Sequence, residues 1–437
     1  MQGDGFGREV LRLAVPAFGA LAAPSLLLLT DAAFIGSLGT NALAGYAGGG
    51  AVFGVASSLS YFLAYASTSV VARRFGAGQQ RAAVADGINY IALGLVIGLF
   101  VGMALWFGAG TFAGWLGISG DVLPESEAWL RGAALGAPGM IASMAAIGMF
   151  RGLQDTRITF WVTLGTVLLN MALCAAFIFW AQWGTFGAGL AVGLAETVGF
   201  AAYFTMLVRF ARSIGAPILP SHLGGLRDAF IAGLPLLWRS FTLRTVLMGT
   251  TVVAARLGKD ELAAFYVSLT IWYVLANLLD ALAIAAQAMV GRRLGASEGG
   301  LVHGVVRRLL RLSVIAGAVM GGITMALAPF APALFSDDPS VQRLITACLL
   351  VVGAHQPLAA VVFLLDGVLI GSGDTRFLAF VLTMAMCTFL PIAWAVLHFD
   401  LGVLGLWCAM IAFLITRAGL MWRRARGDAW IVEGATR

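Results

Sequence analysis

Charged side chains are scarce in this sequence of 437 residues, of which 60% are hydrophobic and only 11% are Asp, Glu, Lys or Arg. Soluble proteins carry about 25% charged residues, so this composition excludes an ordinary water-soluble domain. Between Leu13 and Ala72 the only formal charge is Asp31. That stretch is long enough to supply two crossings of a lipid bilayer.

Cysteine and the common catalytic motifs are also nearly absent. Four cysteines lie singly in apolar runs, without CxxC spacing, at positions 174, 348, 387 and 408. This arrangement indicates neither a disulfide framework nor a metal site, and we expect no cofactor. The sequence has no HExxH or G-x-S-x-G motif, and its four histidines, including His222, are dispersed. A polytopic membrane enzyme is therefore the least favoured function.

The apolar runs are continuous, whereas the strands of a membrane barrel alternate between apolar and polar residues. This pattern predicts an all-α integral membrane protein. Apolar length and charged punctuation predict twelve transmembrane helices, at 10–38, 48–72, 86–116, 127–150, 158–181, 187–210, 229–257, 266–291, 305–331, 341–370, 376–398 and 402–423.

Arginines cluster in alternate connections between these helices and in the tail, which we take to begin at Arg417 and to include Arg423, Arg424 and Arg426. By the positive-inside rule, both termini are cytoplasmic in a multi-pass protein of the cell (inner) membrane. The net charge of +6 has the same origin. We therefore expect the bilayer, and no nucleic acid, as the partner of the basic residues.

The second half of the sequence repeats the first. One constant shift aligns Pro16 with Pro235, Pro138 with Pro357, and the Asp-Thr-Arg motif at 155–157 with that at 374–376. Towards the end of each half the shift is shorter by a single position, which aligns Gly184 with Gly402. The pattern indicates two six-helix bundles that arose by tandem duplication and are related by a pseudo-twofold axis along the membrane normal. The predicted domains are residues 1–211, a cytoplasmic linker 212–228, and residues 229–437.

Asp31 is the first candidate for a functional residue, because acids inside membrane helices are rare and costly. Burial in an apolar environment favours the protonated form of a carboxyl group, so such an acid can load and release a proton. Pro16 and Pro24 precede it in the same helix, where each removes a backbone donor and permits a hinge. The alternative is a structural carboxylate satisfied by a neighbouring hydroxyl, such as that of Thr30.

Further polar residues fall inside predicted helices. Glu196, Asp280 and Asp366 are acids, and Arg244 is a candidate partner for the latter two. Structural ion pairing and function are both open for these residues. Asn170 and Gln287 suit hydrogen bonds between helices. The two Asp-Thr-Arg motifs suit helix capping by Asp and interfacial anchoring by Arg.

Several of these motifs, in this order, resemble the multidrug and toxic compound extrusion (MATE) transporters. They include Pro16 with Asp31, the segment Ile35-Gly36-Ser37-Leu38-Gly39, and Arg-Gly-Leu-Gln-Asp-Thr-Arg at 151–157. Arg244-Thr245, Leu279-Asp280 followed by Gln287, and the segment from Leu365-Asp366 to Gly371 resemble the DNA-damage-inducible (DinF) branch. The resemblance covers nearly the whole chain.

The resemblance implies export of organic, often cationic and amphipathic compounds by alternating access, in exchange for protons or sodium ions, by a protein that is a monomer. It also implies that Asp31 and Asn170 bind the coupling ion. Family members often carry a second acid one turn after this asparagine, where this chain has Cys174. Sodium prefers several oxygen ligands, so this difference favours protons. A sodium-coupled exporter and a lipid-precursor flippase are the alternatives.

Overall fold

A computed structural model describes residues 3–220 and 223–436 of the chain. This part of the protein is α-helical and contains no strand. The helices are α1 (Gly3–Gly36), α2 (Thr40–Gly76), α3 (Gln80–Trp115), α4 (Val122–Ala134), α5 (Ala137–Gly152), α6 (Thr156–Ala175), α7 (Gly184–Ile214), α8 (Leu223–Leu257), α9 (Lys259–Gly295), α10 (Gly299–Leu327), α11 (Pro339–Ala354), α12 (Gln356–Gly371), α13 (Thr375–His398) and α14 (Gly402–Arg426). The predicted all-α class is confirmed. Within the predicted linker, Ser221 and His222 lie outside the described residues.

The helices account for the twelve predicted membrane spans. In the described chain, nine of them are long and apolar enough to cross a bilayer, and two bent pairs, α4 with α5 and α11 with α12, raise the number to eleven. α8 is the twelfth, and its apolar run is interrupted by Arg239 and Arg244. A π-helical turn, Ala176–Trp180, extends α6.

The fourth and tenth spans are broken at matching positions. α4 and α5 meet at an angle of 52°, and α11 and α12 meet at 50°. Pro138 and Pro357 lie in the first turn of the second helix in each pair, where the missing N–H of proline costs no helical hydrogen bond. The repeated prolines therefore set the same bend in both halves.

The chain divides into two compact units whose boundaries fall beside the paired prolines of α1 and α8. The amino-terminal unit comprises Val15–Leu237, and the carboxy-terminal unit comprises the residues up to Ala14 together with Trp238–Ala435. α1 changes unit just before Pro16, and α8 changes unit just after Pro235. Each of these helices thus carries a proline at the point where it passes from one unit to the other.

Small residues allow equivalent helix crossings in the two units. A side chain on Gly148 of α5 would overlap the carbonyl oxygen of Ala64 in α2, and one on Gly367 of α12 would overlap that of Ala283 in α9. The repeat aligns Gly148 with Gly367 and Ala64 with Ala283. Close backbone approach at glycine is a common way to pack membrane helices.

The two Asp-Thr-Arg motifs have diverged in their contacts. Asp155 caps α6 by accepting hydrogen bonds from the backbone N–H of Arg157 at 3.1 Å and of Ile158 at 3.3 Å, as predicted. The side chain of Asp374 makes no capping bond to α13. It instead accepts a hydrogen bond from Nε of Arg424 at 2.8 Å. The expectation of a cap is therefore wrong for the second motif, because a cation from α14 binds the carboxylate.

Candidate functional site

Asp31 is buried in the amino-terminal unit, near the end of α1. Only 3% of its surface is exposed. Two helical turns earlier lies Pro24, so the backbone preceding the acid lacks one N–H donor. An apolar helix has thus placed a carboxylate where water does not solvate it.

The side chains beside this carboxylate include two from α6. Nδ2 of Asn170 donates to both oxygens of Asp31, at 3.1 Å and 3.3 Å. Cys174 lies beside Asp31, one turn further along α6 than Asn170. Asn170 and Cys174 are both buried. The structure therefore brings together the two residues that the sequence analysis assigned to ion coupling.

The partners of Asp31 carry no compensating charge. In the part of the chain that the structure describes, no Lys, Arg or His forms an ion pair with it. The side-chain oxygen of Asn170 is buried and has no hydrogen-bond partner. A proton on Asp31 would neutralise the acid, and after rotation of the Asn170 amide the new O–H could donate to that oxygen. The pair has the donors and acceptors that both protonation states require.

Glu196, on α7, lies apart from this pair and faces a cavity within the amino-terminal unit. α1, α2, α5, α6 and α7 line a cavity of about 100 Å³ there. Arg151, at the end of α5, faces the same cavity. Sequence reasoning treated Arg151 only as part of a helix-end motif and did not bring the two residues together.

In the carboxy-terminal unit, Asp366 of α12 is held between two arginines. Its Oδ2 accepts hydrogen bonds from Nη2 of Arg239 on α8 and, at 3.1 Å, from Nη2 of Arg417 on α14. All three residues are buried. The cations that contact Asp366 in the described chain are thus Arg239 and Arg417 rather than Arg244.

The predicted position of Arg417 is wrong. The sequence analysis assigned it to the cytoplasmic tail, yet it is 4% exposed inside α14. It lies on the face of the helix that packs towards α12, whereas Arg423 is exposed. Distance along the sequence did not reveal this difference in orientation.

The remaining candidates lie on α8 and α9 of the carboxy-terminal unit. Arg244 is partly buried, and its Nε is buried without a hydrogen-bond partner. Asp280 is partly buried and Gln287 is 1% exposed, and each of them has an interaction partner. The described residues contain no group of three or more His, Cys, Asp and Glu side chains that could hold a metal ion.

The sequence matches one family model twice. Residues 16–176 and residues 235–395 each match the family described as MatE. The two matched segments are offset by the same shift that aligns Pro16 with Pro235, which confirms the tandem repeat inferred from the sequence.

Named relatives and solved structures agree with this match over almost the whole chain. "Protein DETOXIFICATION 43" of Arabidopsis thaliana is 27% identical, over 95% of this chain and 89% of the relative. "DNA damage-inducible protein F" of Escherichia coli is 26% identical, over 97% of this chain and 94% of the relative. The crystal structure of a Vibrio cholerae MATE transporter has a TM-score of 0.86 at 19% identity, covering 97% of both chains.

Proposed function

Because the chain belongs to the MatE family, whose members are membrane transporters and not enzymes, we propose that it exports organic compounds in exchange for protons. The cargo we propose is small, amphipathic and carries a positive charge. We further propose that the protein works as a monomer in the cell (inner) membrane, with both termini in the cytoplasm. It needs no cofactor in this scheme.

The observation that carries the proposal is the neutral environment of buried Asp31. A charged carboxylate inside a membrane helix, away from water, is costly. Asn170 offsets part of this cost by hydrogen bonding, and neither Asn170 nor Cys174 brings a charge. Uptake of a proton removes the charge, so the free energy of a conformation that buries Asp31 depends on whether this residue is protonated.

This dependence can drive alternating access. A ligand shifts a conformational equilibrium only by its difference in affinity for the two states. If the outward-open state binds the proton more tightly, protonation from outside favours release of cargo, and return to the inward-open state releases the proton. Pro16 and Pro24 lie in the helix that carries Asp31, and we propose them as the hinge.

Sodium coupling is the alternative that the experiment must separate. The groups that contact Asp31 would offer a cation the carboxylate, the free oxygen of Asn170 and a thiol. Sodium is a hard cation that prefers oxygen, so a thiol in the position of a second carboxylate supports the proton. Arg239 and Arg417 are paired with Asp366, so these two buried cations are not free to bind the anionic headgroup that a flippase would carry.

Purified protein in liposomes tests the proposal. We would measure efflux of ethidium, a fluorescent organic cation, under an imposed proton gradient and separately under an imposed sodium gradient. We expect efflux with the proton gradient, and its loss in Asp31→Asn. Asp121→Asn is the matched control, because Asp121 is exposed and its side chain makes no capping bond. Efflux driven only by sodium would overturn proton coupling, and no efflux under either gradient would argue against organic cations as cargo.

A further inference from the structure

The cavity beside Glu196 is lined by groups that the coupling mechanism does not use. Neither Asp31 nor Asn170 is among its lining residues. The walls combine apolar side chains with hydroxyls, and the residues that matter here are Leu21, Ser143, Met144, Ile147, Thr159 and Thr166. A ligand in this space would meet both surfaces at once.

Two opposite charges face the cavity without neutralising each other. Glu196 and Arg151 both line it, and in the described chain neither forms an ion pair. Arg151 is only 4% exposed, and its Nε is buried without a hydrogen-bond partner. A buried charge is costly unless it is paired, so Arg151 can accept an anionic partner, and Glu196, which is only partly buried, can accept a cationic one.

The two charges lie towards different ends of the cavity. Phe150, next to Arg151, packs its ring at 6.0 Å from that of Tyr203, so the end of α5 lies beside Tyr203. Glu196 precedes Tyr203 by seven residues on α7, or about 10 Å along the helix axis. Gly139 of α5 packs against the carbonyl oxygen of Glu196, whereas Arg151 lies twelve residues further along α5.

Unpartnered hydroxyls accompany the charges. Oγ of Ser143 and Oγ1 of Thr159 are buried and have no hydrogen-bond partner in the described chain. Buried polar atoms are normally satisfied, so groups left open around a cavity indicate what a ligand supplies. Between the charged ends, Met144 and Ile147 offer an apolar surface.

We propose that this cavity binds a small amphipathic zwitterion. Its protonated amine pairs with Glu196, its carboxylate pairs with the guanidinium of Arg151, and its apolar body packs against Leu21, Met144 and Ile147. A carboxylate matches the planar fork of an arginine, which can donate two parallel hydrogen bonds. The identification of this ligand as cargo rests on the proposed export function, whereas its binding does not.

A matched set of three compounds tests the charge requirement on the unaltered protein. Para-(aminomethyl)benzoate carries both charges, its methyl ester carries only the amine, and para-toluate carries only the carboxylate. Calorimetric titration of purified protein should show the zwitterion binding about tenfold or more tightly than either compound with one charge. Equal affinity for all three, or no binding of the zwitterion, would overturn the proposal.

Two substitutions then assign the charges to their ends. Glu196→Gln should weaken the zwitterion and the ester about tenfold and leave para-toluate unchanged. Arg151→Gln should weaken the zwitterion and para-toluate and leave the ester unchanged. Arg157→Gln is the control, because Arg157 is exposed near the same end of the bundle. Parallel loss of all three compounds in both variants would show a general effect on folding and would contradict the assignment.

Binding and transport are measured separately, so their failures are distinguishable. If Glu196→Gln weakens the zwitterion but proton-driven ethidium efflux and its dependence on Asp31 persist, the cavity binds zwitterions independently of ethidium export. If the zwitterion binds as expected but no proton-driven efflux occurs, the export proposal fails while the binding site stands. Absence of the predicted charge selectivity would reject the site whatever the outcome of the efflux assay.

Discussion

Replacing Asp366 by Asn should destabilise the protein by about 3 to 5 kcal/mol, the usual cost of leaving a buried charge unpaired. Asp366 is 4% exposed and accepts hydrogen bonds from two guanidinium groups that are 7% and 4% exposed. Asparagine preserves the size of the side chain but removes the negative charge. Arg239 and Arg417 would then repel each other in an apolar environment without an anion between them.

The free energy of unfolding in mixed micelles, measured by titration with SDS, provides the assay. Asp86→Asn is the comparison, because Asp86 pairs with Arg74 at 3.0 Å in a setting where the two side chains are 27% and 26% exposed. Exposed and partly exposed pairs contribute about 0 to 1 kcal/mol. A much larger loss in Asp366→Asn than in Asp86→Asn is therefore expected.

A triple substitution distinguishes the cost of leaving a buried charge unpaired from the net contribution of the whole cluster to stability. Arg239→Met, Asp366→Leu and Arg417→Met together should recover most of the stability, because apolar side chains often replace buried ion clusters without loss. Unfolding of Asp366→Asn at the same SDS concentration as the unaltered protein would refute a structural role for the buried charge. If that stable variant had also lost proton-driven efflux, Asp366 would be a coupling residue instead of a structural one.

Three further predictions concern local contacts and use the same SDS titration. Asp155→Ala should cost about 1 kcal/mol through the lost cap of α6, and a double-mutant cycle of Asp374→Ala with Arg424→Gln should show coupling of about 0.5 kcal/mol or more. No coupling between Asp374 and Arg424 would contradict the observed pair. Gly148→Ala should cost about 1 to 3 kcal/mol because its side chain meets the backbone of Ala64. Gly54→Ala, where a side chain meets nothing within 4 Å, should instead be neutral or stabilising.

The helices could be predicted from the sequence because their causes are local. A bilayer requires long apolar runs, and charged residues end them, so the predicted spans differ from the observed helices mainly at their ends. The bends beside Pro138 and Pro357 are not among the predictions, because the sequence analysis gives one unbroken span at 127–150 and another at 341–370. Proline at matching positions of the repeat accounts for both bends. The pairing of Asp31 with Asn170 came from family resemblance, since the two residues lie far apart in the sequence.

The contacts of Arg417 and Arg151 depend on which way each helix faces, and this is where sequence reasoning failed. Arg417 and Arg423 lie less than two helical turns apart, yet only Arg417 faces α12 and Asp366. The sequence does contain one indication of the cavity. Thr159, Thr163 and Thr166 recur at helical spacing along α6 and mark a polar face inside an otherwise apolar helix.

The duplication relates this cavity to the cluster around Asp366. The shift that aligns the prolines of α1 and α8 also aligns Ala20 with Arg239 and Ile147 with Asp366. Ala20 and Ile147 line the cavity of the amino-terminal unit. One region of the ancestral repeat therefore holds open space in one unit and paired charges in the other.

Arg417, the third residue of the Asp366 cluster, also aligns with a residue beside the cavity. The slightly shorter shift that applies near the end of each half aligns Gly199 with Arg417, and Gly199 packs against Thr166 of the cavity wall. Asp366 is thus neutralised by two arginines of its own unit, whereas Asp31 and Glu196 of the amino-terminal unit form no ion pair in the described chain. Only an acid without a fixed cation can exchange protons or ligands at little cost, so we expect coupling and cargo binding to reside in the amino-terminal unit.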